Sequence, residues 1–138
     1  MLGDLFYEAT GRITSKRVLD LERLEIESSY FVEGKMREIE VVEIGTFTST
    51  STAIRCVFFV QGKDIVTVKG SDEMATVKAQ GISKLRGSSK VICGSNFYSS
   101  STTGKLSFLN NLVGVHEALV DSDGNLIYKV WEWKPPHH

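Results

Sequence analysis

The residues most able to do chemistry are two glutamates that interrupt apolar, alternating stretches of sequence. Glu43 lies two residues after Val41, and Glu117 lies two residues after Val115. Every second side chain of a β-strand lies on one face, so both carboxylates are predicted to share the apolar, inward face of their neighbours. Burial and mutual repulsion would then raise the pKa of at least one carboxyl, leaving an acid and a base near neutral pH. Glu43 and Glu117 are therefore candidate catalytic residues.

This pair also has a purely structural interpretation. A β-bulge near Gly45 or Gly114 would turn the neighbouring glutamate outward, and a nearby arginine would neutralise it. If the carboxylates do act, Tyr7 or Tyr30 is the expected hydrogen-bond donor. The chemistry would then be proton transfer on a bound apolar substrate.

Other catalytic and metal-binding motifs are missing from the sequence. His116 is adjacent to Glu117 and therefore points to the opposite face of a strand. Cys56 and Cys93 have no metal-ligand spacing, and segment 121–125 is typical of a hairpin turn because its glycine comes too early for a calcium loop. No phosphate-binding glycine loop or nucleophile motif occurs. We therefore expect no metal and no cofactor.

Composition and charge narrow the class of protein. The chain has 138 residues, 41% of them hydrophobic, which suits one globular domain over residues 1–134. Its formal net charge of -1 argues against nucleic acid as a partner. Neither a secretion signal nor a long apolar run is evident, and two cysteines are typical of reduced thiols, so we expect a cytoplasmic protein without membrane contact. Residues 135–138 form a tail that could be left over from cloning.

Period-two alternation dominates the chain, in runs bounded by Gly, Ser, Asp and Asn. It predicts eight or nine strands, near 5–14, 18–32, 36–48, 53–61, 64–69, 74–85, 90–99, 113–121 and 126–133. Glycine-containing turns are expected at 33–35, 61–63, 70–72, 86–88 and 121–125. Short connections favour hairpins, and closure removes the exposed edges of the sheet. We predict an all-β fold, a single antiparallel barrel of eight to nine strands with less than about 15% helix.

One segment interrupts the alternation. Near residues 100–112, a run of serine and threonine precedes the apolar residues Phe108, Leu109 and Leu112. We predict a short helical or loop insertion there. It would either plug one mouth of the barrel with these three side chains or act as a lid over a ligand.

The more apolar face of each strand is predicted to line the interior, because burial of apolar surface drives folding. An eight-stranded barrel is wide enough to be filled by side chains or to hold one small ligand. The predicted ligand-binding residues are inward-facing and mostly aromatic: Tyr7, Tyr30, Cys56, Phe58, Ser95, Phe97 and Tyr128.

Apolar side chains are also predicted on the outside. Val57 and Phe59 alternate with inward residues of one strand, and Trp131 and Trp133 do so on the last strand. Exposed apolar patches usually mark a partner surface. We therefore expect a homo-oligomer formed through these residues.

The segment Ala75 to Gly87, ATVKAQGISKLRG, followed by the strand Val91 to Tyr98, resembles the strand-glycine-hairpin pattern of allene oxide cyclase-like and dirigent-like proteins. This resemblance implies a calycin-like, eight-stranded antiparallel barrel that forms oligomers and holds an apolar ligand. It implies no catalytic residue, because no catalytic motif is matched. The Gly-x-Trp opening of lipocalins does not occur, and over its whole length the chain is also similar to small microbial proteins.

Three functions remain open at this point. The first is binding of a small apolar or aromatic ligand inside the barrel of a homo-oligomer. The second is a cofactor-independent isomerase, cyclase or lyase that uses the inward carboxylates. The third is a structural or interaction protein with a filled core. The volume of the interior cavity distinguishes the third function from the other two.

Overall fold

The computed structural model describes residues 2–136 and contains eight strands and one 3-10 helix. The strands are β1 (Leu2–Asp20), β2 (Glu25–Met36), β3 (Ile39–Ser51), β4 (Val57–Val68), β5 (Met74–Arg86), β6 (Ser89–Ser100), β7 (Val113–Val120) and β8 (Asn125–Trp133), and the 3-10 helix is Ser107–Asn111. Each strand pairs antiparallel with the next, and β8 pairs with β1 to close the barrel. The predicted all-β antiparallel barrel is confirmed. Within residues 2–136, no helix is long and apolar enough to span a bilayer.

The turn predicted at 61–63 is wrong. Gly62 lies inside β4, so the predicted strands 53–61 and 64–69 are in fact one strand. Gly62 does not form a turn, since it pairs with β3 and β5 on either side, and a Cβ atom there would meet the backbone of Thr46 and the side chains of Phe47 and Ala79. This correction restores the alternation of β4 and places Asp64 on its inward face. The turns predicted elsewhere at glycine are confirmed at 70–72, 86–88 and 121–125.

The turn predicted at 33–35 is also wrong. Gly34 lies inside β2, where a Cβ atom would overlap the backbone of Glu8 on β1. Glycine is therefore required by the close approach of two strands. The true connection of β2 and β3 is Arg37 and Glu38, whose φ angles of 48° and 70° suit a type I′ hairpin.

The 3-10 helix closes one mouth of the barrel. Leu106 and Leu109 are fully buried, and Phe108 and Leu112 pack against the same core. The Phe108 ring meets Phe6 of β1 edge-on, with 6.2 Å between the ring centroids. The predicted plug is confirmed, and Leu106 is an additional member. We call this the plugged end and the opposite mouth the open end.

On β6 and β7 the predicted inward face is wrong. Asn96 and His116 are buried in the interior, whereas Phe97 is 53% exposed and Ser95 and Glu117 lie on the outer face. The prediction assigned the more apolar face inward. Here the inner face carries polar residues whose burial is compensated by hydrogen bonds, so that criterion fails.

Cys56 also lies elsewhere than predicted. It belongs to the connection between β3 and β4, with a φ angle of 65°, and its thiol is exposed and free. The alternation was extended four residues too far, because β4 begins only at Val57. Phe58, two residues further on, is half-buried. Cys93 is likewise exposed and free.

Candidate functional site

A layer of polar side chains crosses the middle of the barrel. Tyr7, Tyr30, Glu43, Asp64, Asn96, Tyr98, His116 and Tyr128 point inward from seven of the eight strands, and all but the half-buried Tyr98 are buried. Apolar side chains fill the interior between this layer and the plug. Buried polar groups are costly unless they are paired, so this layer is the part of the interior that packing alone does not explain.

Tyr30 and Asp64 are brought together by a glycine. The pairing register places Gly45 of β3 between Tyr30 of β2 and Asp64 of β4. A Cβ atom at position 45 would overlap the Asp64 carboxyl and press on the Tyr30 ring. The Tyr30 hydroxyl therefore reaches across the glycine and donates a hydrogen bond to Asp64 Oδ2.

Glu43 and Asp64 form a buried carboxyl pair. Burial and the contact with Asp64 raise the pKa of Glu43 well above its ordinary value. Burial also raises the pKa of Asp64, although the contact with Glu43 and the hydrogen bond from Tyr30 oppose this. Glu43 Oε2, Asp64 Oδ1 and the Tyr7 hydroxyl are buried without a well-formed hydrogen bond. Because ionised carboxylates only accept hydrogen bonds, one proton held between Glu43 and Asp64 resolves the mismatch of two facing acceptors.

A second network surrounds Asn96. Its Nδ2 donates to the hydroxyls of Tyr128 at 2.6 Å and Tyr98 at 3.0 Å. Its Oδ1 lies 2.7 Å from Nδ1 of His116 and can only accept, so His116 Nδ1 carries the proton. Burial lowers the pKa of His116 to about 4, so the ring is neutral at neutral pH. Nε2 of the ring is then the nitrogen that can accept a hydrogen bond.

The polar layer forms the floor of a funnel that begins at the open end. The walls are mainly apolar, with Phe47, Val60, Ile92, Ala118 and Leu126, and the floor includes Tyr30, Asp64, His116 and Tyr128. The centre of a water molecule can reach about 40 Å³ of the funnel. It is therefore a narrow slot with a polar end. Within residues 2–136 no cluster of three or more potential metal ligands exists.

The structure brings together only part of the predicted site. Tyr7, Tyr30, Glu43 and Tyr128 belong to the polar layer, and their roles stay predictions. Glu117 does not join them, because it lies on the outer face opposite Cys93 and Lys129. The prediction that Glu117 faces inward is therefore wrong, whereas Glu43 is buried as predicted.

Sequence reasoning missed Asp64, Asn96 and His116. Asp64 could have been found, since it continues the period-two series Val60, Gly62, Val66 once β4 is treated as one strand. Asn96 and His116 carry no such signal, because polar residues on a strand are normally assigned outward.

Comparison of the chain with protein-family models, with curated proteins and with solved structures finds no match. The structure shows a closed antiparallel barrel of eight strands, and the resemblance to allene oxide cyclase-like and dirigent-like proteins stays a prediction.

Proposed function

We propose that the protein binds a small molecule with a slim aromatic or alkyl body in the funnel. The observation that carries this proposal is the arrangement of apolar walls over a polar floor at the one barrel mouth that the 3-10 helix leaves open. Ligand sites are typically concave, mostly apolar and equipped with a few convergent polar groups. Buried titratable groups with shifted pKa values are further features of functional sites, and Asp64 and His116 are two such groups.

The width of the funnel limits the ligand. Enclosed sites for drug-sized molecules hold about 300–1,000 Å³, whereas water can occupy about 40 Å³ of this funnel. A flat ring or an unbranched chain fits such a slot better than a branched body. The rest of a larger ligand would remain at the mouth, between Phe47 and Leu126.

Gly62→Ala provides a sharp test. Gly62 lines the funnel, and a Cβ atom there would meet its neighbours at 3.5 to 3.8 Å, which is ordinary contact. The added methyl group should therefore leave the fold intact while it fills part of the slot. Titration of benzyl alcohol, followed by two-dimensional NMR, should shift the amides around the funnel of the wild type. Gly62→Ala should weaken this binding at least about tenfold, as a misplaced methylene typically does.

Ser99→Thr is the matched control, since it adds one methyl group to an exposed position on the outer face of β6. It should bind like the wild type. Equal binding by the wild type and Gly62→Ala, or shifts confined to the outer surface, would contradict the proposed site.

The carboxyl pair favours catalysis as a second candidate function. A pair that shares one proton can give that proton to one atom of a ligand while it accepts a proton from another, which is the balance of an isomerisation without a cofactor. Asp64 would face the ligand, with Glu43 behind it. The test is exchange of the α-protons of phenylacetone in D₂O. The wild type should accelerate exchange and Glu43→Gln should not, whereas equal rates for both proteins would exclude this function.

The third candidate is an interaction protein with a filled core, and the small free volume of the funnel, about 40 Å³, supports it. Val57 and Phe59 on β4 lie on the side of the barrel opposite Trp131 and Trp133 on β8, so they form two separate patches. Phe59 is 38% exposed and Trp133 is 44% exposed. Sedimentation should show a homo-oligomer that Phe59→Lys or Trp133→Lys dissociates. A wild-type monomer at micromolar concentration would refute it.

A further inference from the structure

In the described part of the chain, the acidic side chains of the interior have no buried lysine or arginine as a partner. Glu43 and Asp64 are both buried, at 1% and 5% exposure, and no lysine or arginine among residues 2–136 is buried. His116 Nδ1 donates its hydrogen bond to Asn96 Oδ1, and the ring is neutral at neutral pH. When the two carboxyls hold one proton between them, the remaining negative charge has no buried lysine or arginine from the described residues beside it. A buried charge of this kind is expensive unless something pairs with it.

The same place lacks hydrogen-bond donors. Apart from the one proton that the two carboxyls can share, Glu43 Oε2 and Asp64 Oδ1 have no hydrogen-bond donor, and the Tyr7 hydroxyl, 1% exposed, contacts Glu43 but has no well-formed hydrogen bond. The Tyr30 hydroxyl is already used on Asp64 Oδ2. An ammonium group carries three N–H donors and no acceptor, which is the complement of this set.

Aromatic rings line the approach to the carboxyl pair. Tyr30 and Phe47 lie with their centroids 5.8 Å apart on one side, and His116 and Tyr128 lie 5.8 Å apart on the other. All four residues line the funnel. Faces of aromatic rings attract cations, and such rings recognise ammonium ligands elsewhere in proteins.

We infer that the funnel selects an organic ammonium ion, carried on a slim aromatic or alkyl body, whose nitrogen is held by Asp64 with Glu43 behind it. This inference rests on the proposed function and names the chemical class of its ligand. The ammonium group supplies the positive charge and the donors that the interior lacks. The aromatic rings that line the funnel attract the cation, and the apolar walls contact the body of the ligand.

The test compares three probes of nearly the same shape: benzylamine, which is a cation at neutral pH, benzyl alcohol, which is neutral, and benzoate, which is an anion. Two-dimensional NMR titrations measure their affinities for the full chain. Benzylamine should bind about tenfold to a hundredfold more tightly than benzyl alcohol, because a hydrogen bond to a charged partner is the stronger one. Benzoate should not bind.

Two variants assign the selectivity to the carboxyl pair. Asp64→Asn should abolish the advantage of benzylamine over benzyl alcohol, and Glu43→Gln should reduce it, so the test survives if one variant fails to fold. Asp72→Asn, an exposed position in the connection of β4 and β5, should keep the full advantage.

The outcomes separate the two proposals. Equal binding of benzylamine and benzyl alcohol in the funnel would overturn the inference and leave the proposed function standing. Absence of binding by all three probes would overturn both. An advantage of benzylamine that persists in both Asp64→Asn and Glu43→Gln would show attraction to surface charge instead, and it would also overturn the inference.

Discussion

Relative to the wild type, the Glu43→Gln variant should become more stable as the pH rises. Glutamine has nearly the shape of protonated glutamate, so it mimics the form that the folded protein favours. Burial and the contact with Asp64 raise the pKa of Glu43 above its ordinary value of 4.5. The folded wild type therefore keeps a proton that the unfolded chain releases. Its stability should be fully present below pH 4.5 and should fall as the pH rises from 4.5 towards the raised pKa.

The magnitude follows from the number of protons. One proton retained only in the folded state makes the free energy of unfolding fall by about 1.4 kcal/mol for each pH unit. Glu43→Gln removes this dependence, so its stability relative to the wild type should rise by about the same amount per pH unit and become constant above the raised pKa.

His116 does not obscure the comparison, because both proteins contain it. The ionisable side chains in the same layer are Tyr7, Tyr30, Asp64, Tyr98, His116 and Tyr128. Burial raises the pKa of each of the tyrosines, which therefore stay neutral at these pH values.

The assay is urea denaturation of both proteins at a series of pH values between 4 and 8, followed by fluorescence of the tryptophans. Glu40→Gln, an exposed position on the same strand, is the control and should show no such trend. A difference between Glu43→Gln and the wild type that does not change with pH would refute the idea of a retained proton. A Glu43→Gln variant that is less stable than the wild type at pH 7 would also refute it.

Three further predictions concern the elements that build the site. Gly45→Ala should destabilise the protein by more than about 1 kcal/mol, since the Cβ atom overlaps the Asp64 carboxyl, and the loss should appear in urea denaturation. Leu109→Ala should cost about 2–5 kcal/mol in the same measurement, because it removes a fully buried side chain from the plug. The pKa of His116 is lowered from 6.5 to about 4, so its contribution to stability is present above pH 6.5 and is lost as the pH falls to about 4. His116→Gln should therefore gain about 3 kcal/mol relative to the wild type between pH 7 and pH 4, and a constant difference would contradict the buried neutral ring.

The sequence predicts the barrel because period-two alternation is a local signal that repeats in every strand. The inward face of β3 follows directly, with Val41, Glu43 and Phe47 buried as expected. The face of β7 does not follow, because Val115 and Leu119 make the outer face more apolar than the inner one. The buried His116 of the inner face is hydrogen-bonded to Asn96, which is 20 residues away, so the sequence of β7 alone does not reveal this compensation.

The candidate site is harder to predict than the fold for the same reason. Glu43 is recognisable as a carboxylate among apolar neighbours. Its partner Asp64 is not, because the sequence around Gly62 predicts a turn and divides β4 just before Asp64. Gly62 has an ordinary extended backbone, whereas Gly70, Gly87 and Gly124 have the positive φ angles that turns use. The residues next to these glycines do not tell them apart, because each glycine is flanked by polar residues.

The most direct test of the central claim is a crystal structure of the protein grown with benzyl alcohol. We predict electron density for the ring in the funnel, between the side chains of Tyr30 and Tyr128, with the hydroxyl group directed at Asp64. Density for the ligand only on the outer surface of the barrel, with the funnel unchanged, would contradict the account.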